Sequence, residues 1–316
     1  MAGLNIVVVF FISIIALSQL IRWLTKKFLP ARIYRCTTSE LASSLQLCAC
    51  YMEVRMLADI GMWGGGYGPD VISTLVFLLF LAHGFTFKGA SANPAVSLQE
   101  FLLRDSSLID TLVKLLAQYA GVEAARFLTR HYWSLELTDF HTIQMMMVDD
   151  CTSALQTSLA QGIFVEALCA FCYHLVLLRF RNTRSVYRVP TMALTITLLA
   201  YAGASHTGSY FNPILAYALT FDCPGKSLGE YSSVYIGGSL VGMVLALFLF
   251  SGNIPRLFQK NLLYSQKTKF RTPKTKTVQS KASSKAPSQN KGSEKNASEQ
   301  KQGKAVSVAA KTKSSS

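Results

Sequence analysis

Two stretches decide the fold: Phe87-Lys88-Gly89-Ala90-Ser91-Ala92-Asn93-Pro94-Ala95-Val96-Ser97 and His206-Thr207-Gly208-Ser209-Tyr210-Phe211-Asn212-Pro213-Ile214-Leu215. Each lies where an apolar segment breaks off and a shorter one begins. Asn is a favoured N-cap, because its side-chain oxygen accepts one of the backbone N–H groups that a helix start leaves unpaired. Pro at the next position surrenders an N–H that would be unpaired anyway and fixes φ for the helix. Each Asn-Pro pair therefore starts a short helix. Two such starts in a membrane protein suggest half-helices whose positive ends point at one site inside the bilayer.

The surroundings are those of a membrane protein. The 316 residues are 50% hydrophobic and 15% charged, against roughly a quarter charged in soluble domains. The charge is concentrated at one end. From Arg256 onward fifteen Lys and Arg face only Glu294 and Glu299, and the rest is nearly neutral. The sequence pI of about 9.5 thus belongs to a tail. Residues 257–316 are rich in Lys and Ser, too poor in apolar side chains to fold, and are expected to be a disordered cytoplasmic tail. No aromatic or structured reader accompanies the charge, so nucleic acid is not an expected partner.

Segments near the ~20 residues needed to cross a bilayer fall at 4–24, 41–60, 71–87, 108–128, 159–178, 189–204 and 234–250. The second is weakest, since it holds Glu53 and Arg55. The first has no basic residue before its apolar run and has Arg22, Lys26 and Lys27 at its end, which fits an uncleaved anchor better than a signal peptide. With the N-terminus on the outer or lumenal face, the basic connections fall inside. Lys26, Lys27, Arg32 and Arg35 lie in the first connection, Lys88 and Arg104 around Asn93, and Arg179, Arg181, Arg184 and Arg188 in the connection at 179–188. The stretch 61–70 has no Lys or Arg. Residues 129–158 hold Glu136, Asp139, Asp149 and Asp150 against Arg130. Seven crossings follow, with the two Asn-Pro loops entering from opposite faces. Backbone at that depth must be covered by protein or line a water-filled path.

An intramembrane acid is costly and usually faces the protein interior. Glu40 precedes Asn93, and Glu166 precedes Asn212, by comparable intervals. Both read as structural acids that accept hydrogen bonds from loop N–H groups. Together with the paired Asn-Pro loops they mark two inverted halves. No metal or cofactor is expected. Cys169 and Cys172 sit in an apolar run and read as packing residues, and Cys36, Cys48 and Cys50 lack the partners of a zinc site. Cys151 and Cys223 share the outer or lumenal side, where a disulfide is permitted, but nothing in the sequence fixes their distance. The five His are scattered and no nucleophile–base pair or phosphate loop occurs, so an enzyme is not expected.

These residues resemble the aquaporin (major intrinsic protein) family. The stretch Lys88–Ser97 is similar to its first pore loop, Ser-Gly-Ala-x-x-Asn-Pro-Ala-Val-Thr, and Thr207-Gly208 with Phe211-Asn212-Pro213 to its second. Gln118-Tyr119-Ala120-Gly121-Val122-Glu123-Ala124-Ala125 and Gln161-Gly162-Ile163-Phe164-Val165-Glu166 resemble its third- and fourth-helix patterns. Gly238 and Gly242 fall where its last helix carries glycines. The likeness covers roughly residues 38–252. The opening Met-Ala-Gly-Leu-Asn, residues 77–84 and 96–101, and 256–262 with Tyr264 are most similar to the divergent superaquaporin branch.

The resemblance implies an all-α membrane protein. Six transmembrane helices in an inverted repeat would enclose two re-entrant half-helices, with an extra N-terminal transmembrane helix. Residues 1–36 would hold that helix and a basic linker, and residues 37–256 the channel. It implies a homotetramer in an intracellular (endoplasmic reticulum or vesicle) membrane, with one pore per protomer for water or small neutral solutes such as glycerol or hydrogen peroxide. Asn93, Pro94, Ala95, Asn212, Pro213 and Ile214 would form the pore motifs, with both Asn amides donating to the solute. Where ordinary members place a filter Arg stands Leu215, and Ile214 replaces a small Ala. By gapless counting the usual filter His falls near Ala200 or Tyr201, and Ser209 is a further filter candidate. His206 reads as a loop cap rather than a filter. A poorly conducting protein that acts through assembly or its tail is the alternative.

Overall fold

The computed structural model describes residues 2–29, 31–61, 67–147 and 151–258. Two units are distinguished, Met1–Arg271 and Thr272–Ser316, and every described residue falls in the first. Asp149, Asp150 and nearly all of the basic tail lie outside the described residues.

Among the described residues, seven long helical stretches correspond to the seven expected crossings. They are α1 (Ala2–Phe28), α2 (Arg32–Gly61), α3 (Pro69–Thr86), α5 (Leu108–Trp133), α7 (Leu159–Arg179), α8 (Ser185–Gly203) and a composite last helix. That last stretch runs α10 (Leu228–Tyr231), a π-helical turn (Ser232–Gly238) and α11 (Ser239–Ser251). Between them lie three short helices: α4 (Pro94–Leu102), α6 (Asp139–Met146) and α9 (Pro213–Thr220). Four of the long stretches, α1, α3, α7 and residues 228–251, are long and apolar enough to cross a membrane by length and composition. Helices α2, α5 and α8 do not reach that level; α2 and α5 spend polar side chains on partners inside the protein.

Helix α2 shows this most clearly. It is buried along most of its length, and its charges are paired there. Glu53 is fully buried and accepts from Trp133 Nε1 at 2.7 Å and pairs with His141 Nε2 at 3.0 Å. Arg55 donates to Asp59 at 2.8 Å one turn further on. A buried carboxylate is tolerated only with such partners. Here they come from α5 and from α6, the short helix that follows it.

Two close helix pairs repeat across the halves. Gly121 of α5 lies against α2, where an added Cβ would sit 2.8 Å from the Ser44 Cβ and would run into the Leu41 carbonyl. Gly242 of α11 lies against α7, where an added Cβ would sit 2.7 Å from the Phe171 N and would run into the Ala167 carbonyl. Small residues let membrane helices approach backbone to backbone. The matching α2–α5 and α7–α11 contacts, with the acid of each half on α2 or α7, define the inverted repeat.

Helix α1 is bound to the bundle by polar contacts as well as by packing. Ser18 Oγ donates to Ala42 O at 3.1 Å, Gln19 Nε2 to Thr86 O at 3.0 Å, and Arg22 Nη2 to Ser43 Oγ at 2.7 Å. Phe10 stacks on Tyr132 with centroids 4.3 Å apart. At the other end of the described chain, Arg256 donates to Phe101 O (2.6 Å) and Ser106 O (2.9 Å) and lies 4.0 Å over the Phe101 ring. The start of the tail is thereby fixed beside the end of α4.

The candidate pore and its two crossed loops

Both Asn-Pro pairs form capped helix starts. Asn93 is extended (φ −150°, ψ 117°), and its Oδ1 accepts from Ala95 N at 2.9 Å. Asn212 matches it (φ −139°, ψ 108°), with Oδ1 accepting from Ile214 N at 3.3 Å. The residue before each Asn has a left-handed backbone: Ala92 at φ 46° and Phe211 at φ 34°. Such a conformation costs a non-glycine residue about 1–3 kcal/mol. It turns the N–H of that residue to one side and its carbonyl to the other.

Each loop uses both directions. The N–H groups point at the acid of the same half. Glu40 accepts from Ser91 N and Ala92 N, both at 3.1 Å, and from Gln118 Nε2 at 2.9 Å. Glu166 accepts from Tyr210 N at 3.2 Å, Phe211 N at 2.7 Å and the Thr207 hydroxyl at 2.6 Å. Both acids are almost fully buried. The carbonyls point at the Asn of the opposite half. Asn212 Nδ2 donates to Ala92 O at 2.9 Å, and Asn93 Nδ2 to Phe211 O at 3.4 Å. The two loops are thus cross-linked at their centres.

An amide NH2 carries two hydrogens. One hydrogen of each Asn is committed to the opposite loop, and the other is not used by that bond. Asn93 and Asn212 both line a cavity of about 450 Å³. Its wall also includes Arg181, Arg188, Ala200, Ser209 and Leu215. Tyr201 is 61% exposed and is not among the lining residues; Ala200, its neighbour, is. A single helical step of 100° separates the two faces. Pro213 and Ile214 are buried, and Ile214 packs into the core with Leu47 and Tyr51. Ser209 also meets Cys169 Sγ at 3.5 Å. His206 is exposed, pairs through Nδ1 with Ser205 Oγ, and accepts from Gln156 N through its carbonyl.

Further wall residues had no motif to reveal them. Tyr51, Phe80 and Tyr210 line the cavity with Leu215. Tyr51 meets Phe80 and Tyr210 edge-on, at 6.1 and 6.4 Å between centroids. This part of the wall therefore offers aromatic rings and a Leu. Gln99, also on the wall, is held by His174 Nδ1. Cys151 and Cys223 form a disulfide with Cα atoms 5.2 Å apart, which settles the pairing the sequence left open.

No family model matches the chain. It is 49% identical over 276 residues to aquaporin-12 of Mus musculus, covering 87% of this chain and 95% of that one. It is 46% identical to the putative aquaporin-12B of Homo sapiens (91% and 93% covered) and 32% identical to aquaporin-11 of Rattus norvegicus (82% and 92% covered). Among solved structures, the aquaglyceroporin of Plasmodium falciparum is 17% identical with a TM-score of 0.47, covering 67% of this chain and 95% of its own. With relatives this similar over nearly their whole length, and with paired Asn-Pro half-helices meeting at one cavity, the chain belongs to the aquaporin family of membrane channels, in the superaquaporin branch that holds aquaporin-11 and aquaporin-12.

Proposed function

We propose that this protein is a passive channel for water and small neutral solutes, glycerol and hydrogen peroxide among them, in an intracellular membrane. The observation that carries this reading is the placement of Asn93 and Asn212 on one cavity wall, each with an amide hydrogen to spare. Two half-helix N-termini meet there and contribute a positive potential of roughly half a charge each. A cation or proton is repelled by that potential, while a neutral molecule exchanges its hydration for fixed donors. Leu215, at the filter position, presents an apolar side chain to the cavity with the aromatic rings. That supports passage of solutes larger and less polar than water. The family resemblance supports a homotetramer with one pore per protomer, and an endoplasmic reticulum or vesicle membrane. The Cys151–Cys223 pair fits a lumenal, oxidising face, with residues 257–316 on the cytoplasmic side.

The test is stopped-flow permeation in proteoliposomes, run separately with water, glycerol and hydrogen peroxide. The expected result is flux above empty vesicles for water and for at least one of the larger solutes. The apolar wall at Leu215 favours one competing reading, a poorly conducting protein that acts through assembly or its tail. Flux no higher than empty vesicles for all three solutes would select that reading and end the channel proposal.

A further inference from the structure

Arg179, Arg181, Arg184 and Arg188 crowd the connection between α7 and α8. Arg181 and Arg188 line the cavity that holds the Asn pair, and Arg179 and Arg184 do not. The two wall arginines differ in their partners. Arg181 donates through Nη2 to Asp105 at 2.7 Å, in a partly exposed ion pair. Glu100, the acid on the same wall, is matched by Lys114 at 2.6 Å. Arg188 is half-buried, and among the described residues no acid and no hydrogen-bond acceptor engages its guanidinium. Its nitrogens are not sealed off, in contrast to Nε and Nη1 of Arg22. The paired charges of the wall cancel, and the charge of Arg188 is left uncompensated.

Its position along the cavity follows from α8. Arg188 belongs to the first turn of that helix, and Ala200, on the same wall, comes twelve residues later. At 1.5 Å per residue that is about 18 Å, so the charge stands at one end of the cavity with Ala200 towards the other. Resting on the channel reading above, we infer that Arg188 is a charge filter: it keeps small monovalent cations out of the α7–α8 end of the path and lets neutral solutes by. Direct contact is not required. A cleft with low-dielectric walls focuses the field of a fixed charge. At about 7 Å and an effective dielectric of about 20, one unit charge lowers the local population of a monovalent cation by more than about tenfold. Membrane topology asks only for basic residues in the connection, which Arg179 and Arg184 supply without lining the cavity. The positive charge that the Leu215 position lacks is thus carried by a different helix.

A reporter thiol reads the field directly. Met192 lies one turn along α8 from Arg188 and on the same wall. In full-length Met192→Cys protein, labelling rates are compared for two methanethiosulfonates of similar size, one bearing a sulfonate and one a trimethylammonium. Mass spectrometry counts the label at position 192 alone. Adding Arg188→Gln should lower the sulfonate-to-ammonium rate ratio by about tenfold, and adding Arg188→Lys should leave it within about twofold. An unchanged ratio in Arg188→Gln overturns the inference. So does an equal fall in Arg188→Lys, or a position 192 that neither reagent labels. Proteoliposomes without the reporter then tie the field to selectivity. Guanidinium flux relative to water flux should rise about tenfold in Arg188→Gln and stay at the wild-type ratio in Arg188→Lys. An unaltered ratio in Arg188→Gln, with a wild type that passes water, overturns the filter and leaves the channel standing. A wild type that passes no solute ends the channel reading and the filter with it, whatever the labelling ratio.

Discussion

Replacing Glu166 with leucine is expected to leave no folded channel to purify. Three donors end on this carboxylate: the Thr207 hydroxyl, Tyr210 N and Phe211 N. Glu166 is completely buried and its partners lie inside the protein, so no bulk water replaces the lost acceptor. Each stranded donor costs about 1–3 kcal/mol, and three of them approach the whole stability of a typical protein, about 5–15 kcal/mol. The left-handed Phe211 adds to the loss, because the bond that holds it in that conformation is gone. Glu166→Gln keeps an acceptor oxygen and should fold with a lowered melting temperature. Size-exclusion profiles and thermal unfolding in detergent check both. A monodisperse Glu166→Leu protein of normal melting temperature would show that the loop stands without its clamp. The corresponding change at Glu40 strands Ser91 N, Ala92 N and the buried Gln118 amide, and should act in the same way.

The second large effect is expected at the Asn pair. Asn93→Asp and Asn212→Asp keep the oxygen that caps the half-helix, so the loops should remain folded. They remove both amide hydrogens. The one bound to the opposite loop is replaced by a carboxylate oxygen against a carbonyl oxygen, at Phe211 or at Ala92. The one facing the cavity disappears, and a negative charge enters where two helix N-termini had made the potential positive. Water flux should fall at least about tenfold, as expected for loss of a hydrogen bond of ~1.4 kcal/mol in a dry site, and exclusion of cations should weaken. Flux and ion exclusion both at wild-type levels in either variant would remove the Asn pair from the solute path.

The parts of this site that were legible in the sequence are those whose physics is local. An Asn before a Pro caps a helix whatever lies around it, so both half-helices could be placed. An acid inside an apolar segment must find donors, so Glu40 and Glu166 could be tied to the loops that follow them. The glycines at 121 and 242 carried a signal as well, since each stands in an apolar helix where alanine would be the better helix former. What escaped depends on contacts between distant segments. The left-handed turns at Ala92 and Phe211 are occupied by residues that do not advertise them, and the Asn amides cross from one half to the other. Glu53 weakened the second span on hydropathy because its partners, Trp133 and His141, lie far along the chain. Ala200 and Tyr201 could not be separated by counting, since only the helix phase decides which side chain meets the cavity. His83, Tyr51 and Tyr210 belong to no motif, and their place on the wall follows from packing alone.

Solute is expected to pass through the cavity lined by Asn93 and Asn212. Ala193 of α8 is 1% exposed and lines that cavity, so an indole there is expected to fill it. Stopped-flow water flux through proteoliposomes of equal protein content should be well above empty vesicles for the wild type and at the empty-vesicle level for Ala193→Trp, with the two proteins eluting alike in detergent. Wild-type flux no higher than empty vesicles, or undiminished flux in Ala193→Trp, would contradict it.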